Sequence, residues 1–63
     1  MCESTVLLET AKGISSVMQE AVLVRDNAGS VTCVDILGRE VIVDDSKVLE
    51  IDLMRHRVLL SRL

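Results

Sequence analysis

At 63 residues, with seven Lys and Arg against ten Asp and Glu for a net charge of −3, the chain has room for one small domain and no basic surface for nucleic acid. It contains no Phe, Trp or Tyr, so base stacking is excluded and the 49% apolar content rests on ten Val, nine Leu, four Ile and three Met. Charges interrupt the apolar runs every few residues and proline is absent, which argues against a membrane span and against disorder.

The elements follow in chain order. Across Cys2 to Thr10, the side chains of Cys2, Ser4, Val6 and Leu8 share one face of an extended strand, opposite Glu3, Thr5, Leu7 and Glu9. Ala11-Lys12-Gly13 then breaks the chain. The next stretch is ambiguous. Ile14, Val17, Met18, Ala21 and Val22 fall at helical spacing, whereas Val22-Leu23-Val24 running into Asp26-Asn27-Ala28-Gly29 has the pattern of a strand entering a hairpin. Strand is the favoured reading. In the turn, Asn27 and Gly29 are the residues that accept positive φ cheaply.

Val31-Thr32-Cys33-Val34 is a further strand, and Gly38 separates Ile36-Leu37 from Val41-Ile42-Val43. Asp44-Asp45-Ser46-Lys47 has the composition of a polar connector. Leu49, Ile51 and Leu53 then alternate with Glu50 and Asp52, and a turn around His56 leads to Val58-Leu59-Leu60. Short β-branched segments between turns predict one all-β domain over residues 1–63, a small antiparallel barrel or sheet. A domain of about 60 residues buries only ~60% of its unfolded surface, so a staple is expected. Several strands are apolar on both faces, as a homodimer contact requires. The opening Met1-Cys2-Glu3-Ser4 lacks the basic start of a secretory signal, which predicts a cytoplasmic protein with reduced thiols.

No phosphate-binding loop, nucleophile elbow or Gly-rich fingerprint is present, so catalysis is not expected. His56 stands between Arg55 and Arg57, which disfavour both an imidazolium and a bound cation, and its expected place is a solvated turn. The two cysteines differ. Cys33 lies in mid-strand, where Cys commonly acts as a small buried hydrophobe. Cys2 adjoins the terminal amine: the amine of Met1, the deprotonated amide of Cys2 and its sulfur close two fused five-membered chelate rings. If Met1 is removed, the amine and thiolate of Cys2 close one ring directly. Mixed nitrogen and sulfur donors in a plane suit nickel(II) or copper(II). One chain supplies too few strong donors, and a dimer axis would double them. Packing at the start of a strand is the competing reading of Cys2.

Met1-Cys2-Glu3-Ser4-Thr5-Val6, the Ile36-Leu37-Gly38 region with Glu40, and Val48-Leu49-Glu50-Ile51-Asp52-Leu53-Met54-Arg55-His56-Arg57-Val58 together resemble the CooT family of small nickel-binding proteins. The resemblance implies a small all-β homodimer that holds Ni(II) at its interface through Cys2, with a role in the maturation of carbon monoxide dehydrogenase. Met1, Cys2 and Glu3 are accordingly the expected metal residues, with Glu3 a weak oxygen donor or a support for the ligands. Some relatives carry a histidine-rich tail; residues up to Leu63 hold none, which favours one shared site over storage of many ions. The expected partners are a second copy, the nickel ion and a nickel-enzyme client, with no nucleic acid or membrane. The alternative is a metal-free β module that binds another protein through its exposed apolar strands.

Overall fold

The computed structural model describes residues 3–63, all of them in strands, turns and short connections. The strands are β1 (Ser4–Thr10), β2 (Gly13–Asp26), β3 (Gly29–Asp35), β4 (Glu40–Asp52) and β5 (Arg57–Arg62). The all-β expectation holds, and the stretch that wavered between helix and strand is strand throughout. Neighbours in sequence pair antiparallel from β1 to β5. One pairing departs from the expected antiparallel sheet. β5 returns beside β1 in parallel, Thr5 opposite Arg57 through to Glu9 opposite Ser61, and so closes the sheet into a barrel. A parallel pair needs a long connection, and here three intervening strands provide it.

The two long strands make closure possible, because each serves different neighbours with its two halves. β2 pairs with β1 up to Ala21 and with β3 from Ala21 onward. β4 pairs with β3 up to Ser46 and with β5 from Ser46 onward. Ala21 and Ser46 are therefore corners, and both are buried. At the first corner, three steps along β2 from Met18 to Ala21 face two steps along β1 from Val6 to Ser4, a bulge. That extra residue moves the inward positions from a spacing of two to a spacing of three. Met18 and Ala21 consequently point into the core at a helical interval on a strand, which is why the periodicity of residues 14–22 was ambiguous.

The second corner corrects an expectation. Asp44-Asp45-Ser46-Lys47 is no connector; it is the bend within β4. Asp45 takes φ of 49°, and the fully buried Ser46 hydroxyl donates to the Val43 carbonyl at 2.7 Å. The end of the chain braces this bend, with Leu63 N–H on the Asp45 carbonyl at 2.9 Å and Arg62 Nη1 on the Asp44 carbonyl at 2.7 Å.

Val6, Leu8, Met18, Ala21, Val31, Cys33, Val43, Val58 and Leu60 form the core, with Val17, Val24 and Val48 packed at its margin. Leu49, Ile51 and Leu53, which alternate in sequence, remain exposed. A register shift between Val48 and Glu50 turns Leu49 outward, and β4 ends at Asp52 so that Leu53 belongs to the turn. In the β2–β3 turn it is Ala28 and Gly29 that take positive φ, at 59° and 142°, and not Asn27. Asn27 is used for its amide instead, donating to Thr32 Oγ1 at 2.9 Å and Ser30 Oγ at 3.3 Å.

Candidate functional site

The expected metal residues Met1 and Cys2 lie outside the described residues; Glu3 is the first described residue of that trio. Ser4 pairs with Ala21, and Thr5 N–H donates to the His56 carbonyl at 2.9 Å, so the beginning of β1 is fastened between the β2 corner and the β4–β5 turn. Glu3 is partly buried, and its Oε2 is occluded with no hydrogen-bond partner among the described residues. An occluded, unpartnered carboxylate oxygen is a costly arrangement.

Cys33 behaves as its mid-strand position suggested. It is 0% exposed, sits opposite Val24 on one side and Val41 on the other, and belongs to the apolar core. Burial pushes its thiol above the ordinary value. A metal ligand must be a thiolate, so burial works against coordination at Cys33. His56 is exposed at the tip of the β4–β5 turn with φ of 53°, flanked by Arg55 and Arg57, as the sequence led one to expect. Among the described residues, no three of His, Cys, Asp and Glu come together in a group that could hold a metal ion.

Two concavities among the described residues bear on function. The larger, about 390 Å³, opens where the first half of β2 splays from the β3–β4 hairpin, lined by Val17, Met18, Gln19, Glu20, Asp35, Arg39 and Val41. Its buried carboxylate is already committed. Asp35 accepts Leu37 N–H and Arg39 N–H at 2.9 Å each and Arg39 Nε at 2.7 Å. Burial alone would raise the Asp35 carboxyl, but the Arg39 and Leu37 hydrogen bonds with the guanidinium charge outweigh it and hold the group below the usual carboxylate value. The smaller, about 130 Å³, lies on the outer face of β1 and β5 among Leu7, Ile14, Glu50, Arg57 and Leu59. Neither contains a nucleophile set against a base.

One surface feature escaped the sequence reading. Leu53 and Met54 stand at the crest of the β4–β5 turn, among the most exposed apolar side chains of the described chain. In sequence Leu53 simply continued an alternating run; the signal available was that Asp52 and the Arg55-His56-Arg57 cluster bracket a turn rather than a strand.

Comparison with known proteins places this geometry. A family model described as CO dehydrogenase accessory protein CooT matches residues 1–61. The crystal structure of a chain assigned as CooT from Carboxydothermus hydrogenoformans superposes with a TM-score of 0.83 at 19% identity, covering 98% of each chain. At that identity the likeness speaks for the fold. No curated protein matches. Among the described residues, no helix is long and apolar enough to cross a membrane. With all but its last two residues matched by the family model, the chain belongs to the CooT family of CO dehydrogenase accessory proteins.

Proposed function

We propose that this protein binds nickel(II) as cargo and hands it to a nickel enzyme such as carbon monoxide dehydrogenase, without catalysing a reaction itself. The observation that carries the reading is the contrast between its two cysteines. Cys33 is sealed in the core with its thiol pushed up, which leaves Cys2 as the thiol for metal chemistry. Cys2 supplies a thiolate, the backbone nitrogens of Met1 and Cys2 supply planar nitrogen donors, and the Glu3 carboxylate assists from beside them. A second copy completes the set, because the described part of one chain has no cluster of donors to offer. A site of such donors shared between two copies exchanges its metal more readily than a buried cage, as delivery requires. The cytoplasm, where thiols stay reduced, suits such a site.

Titration of the reduced protein with nickel(II), followed by thiolate-to-metal absorption, tests this reading; the lack of Trp and Tyr leaves that window clear. Saturation at half a metal per chain is expected, abolished by Cys2→Ser and retained by Cys33→Ser. A flat spectrum, or a Cys2→Ser protein that binds like wild type, would overturn the nickel reading in favour of a metal-free interaction module.

A further inference from the structure

The outer face of β1 and β5 and the turn beside it present a slot and a knob of matching chemistry. The slot is the concavity of about 130 Å³ lined by Leu7, Ile14, Glu50, Arg57 and Leu59. Its floor is apolar, with room for one aliphatic side chain, and a carboxylate stands at its rim. Strand pairing builds it: Glu50 lies opposite Leu59, Leu59 opposite Leu7, and Ile14 opposite Glu9 one step further round the barrel. The knob is the crest of the β4–β5 turn, where Leu53 is 79% exposed and Met54 90%.

Charge across slot and knob balances, Arg55 and Arg57 against Glu50 and Asp52. Asp52 faces both guanidiniums, its Oδ2 3.9 Å from Arg55 Nε and 4.0 Å from Arg57 Nη2, while its Oδ1 accepts the Arg55 N–H at 2.9 Å. Glu50 is exposed and has no ion-pair partner among the described residues. The slot thus offers an acid that nothing in its own chain engages, and the knob offers an arginine held only at long range. Such a surface is complementary to itself.

Placement adds a second condition. In a two-fold contact where each knob enters the other copy's slot, the axis passes midway between knob and slot. Asp52, Arg57 and Thr5 form the row that lies there, with the row of Glu50, Leu59 and Leu7 on one side and the turn on the other. The His56 carbonyl accepts the Thr5 N–H at 2.9 Å, which fixes the turn against that row. β1 begins at this place, and three residues of chain span at most about 11 Å, so Cys2 of both copies is tethered within that reach of a Thr5 near the axis.

We propose that a second copy seats on this patch, Leu53 and Met54 of each copy entering the other's Leu7–Ile14–Leu59 slot and Arg55 meeting the other's Glu50. The proposal rests on the copy-shared nickel site and supplies the surface that assembles it. The unbranched thioether of Met54 adapts to the irregular slot wall. The Arg55–Glu50 pair fixes the register of approach. Any other protein would have to bring both a slot and a knob of its own, whereas a second copy brings both by symmetry. An anionic membrane is a poor occupant, because the Glu50 carboxylate stands at the rim.

Sedimentation of the metal-free, reduced full-length protein tests the contact, with nickel titration in parallel. Wild type is expected to form a closed dimer without metal, and Cys2→Ser to keep it. Leu53→Ser with Met54→Ser on the knob, or Ile14→Asp in the slot, is expected to raise the dimer dissociation constant at least about tenfold. Glu50→Arg and Arg55→Glu should each weaken the dimer, and the two together should return it to within about threefold of wild type, because the reversed pair still meets across the axis. All these side chains are exposed, so urea midpoints should stay close to wild type. A monomeric wild type, a dimer indifferent to these substitutions, or a reversed pair that fails to rescue overturns the contact. So do species that keep growing with concentration, the mark of head-to-tail chains. A monomeric wild type that pellets with phosphatidylglycerol vesicles only while Leu53 and Met54 are intact overturns it in favour of a membrane. The nickel reading fails separately: a dimer formed through this patch that takes up no nickel sinks the cargo alone.

Discussion

Two turns of this barrel begin alike and end differently. Asp35-Ile36-Leu37-Gly38-Arg39 joins β3 to β4, and Asp52-Leu53-Met54-Arg55-His56-Arg57 joins β4 to β5. Each opens with an aspartate, lifts two apolar side chains into solvent and closes on an arginine. In the first, the nearly sealed Asp35 collects three hydrogen bonds, and Gly38 takes the left-handed position at φ of 81°. In the second, Asp52 accepts one N–H and faces two arginines at about salt-bridge limit, and a histidine takes the left-handed position at φ of 53°. The first turn spends its polar groups on itself. The second holds its arginines only at long range and places a left-handed histidine at its tip. The comparison teaches that the same local grammar builds a self-satisfied turn at one end of β4 and a loosely held one at the other.

The comparison can be broken or sharpened by measurement. The largest effect is expected away from both turns, at Leu60, which is fully buried at the centre of the core. Leu60→Ala should cost ~2–5 kcal/mol and leave so small a domain largely unfolded in a urea melt. Next comes Cys33→Ser, which places a hydroxyl among apolar neighbours; a loss of ~1–3 kcal/mol is expected with nickel stoichiometry unchanged in the folded protein.

The turns themselves should separate under the same substitution. Asp35→Asn should lower the urea midpoint distinctly, since it removes the charge that three donors serve, while Asp52→Asn should leave it nearly where it was. Equal responses would erase the distinction. Acid should act through the same groups. Asp35 and Asp26 are both held below the usual carboxylate value, Asp26 chiefly by the Ala28 N–H and then the Val48 N–H. A depressed carboxylate contributes stability that is present above its unfolded pKa of about 3.9 and is lost as pH falls through the folded value. Stability should therefore decline with acid below about pH 4, and the Asp35→Asn protein should show a shallower decline. The smallest change is expected for His56→Gly. Removing the side chain from a left-handed position relieves strain while adding freedom to the unfolded chain, so the midpoint should rise slightly or hold, by no more than ~1 kcal/mol.

Much of this was legible in the residues. Absence of aromatics and proline, β-branched segments of strand length, and turns at Ala11-Lys12-Gly13, Asp26-Asn27-Ala28-Gly29 and Gly38 lead directly to a small all-β domain. Mid-strand Cys33 reads as core, and His56 between arginines reads as a solvated turn, because in both cases the immediate neighbours decide the environment. The metal trio Met1, Cys2 and Glu3 came from the chemistry of a terminal amine beside a thiol and from the family resemblance. Membership of that family holds, and the metal remains our proposal.

What local pattern could not settle was everything that depends on how the strands meet. The bulge at the Ala21 corner gave a strand the spacing of a helix, and the bend at Ser46 turned a polar run that resembled a loop into the hinge of one long strand. The parallel closure of β5 on β1 joins residues about fifty positions apart, a distance over which no sequence periodicity carries information. That closure is also what ties the Leu53–Arg57 turn to the beginning of β1. Composition and short-range pattern thus determined that this chain is a small β domain with Cys33 as a buried member of its core. Only the closed sheet decided that the Leu53–Arg57 turn is fastened to the beginning of β1, because nearness across a barrel is set by strand pairing and not by distance along the chain.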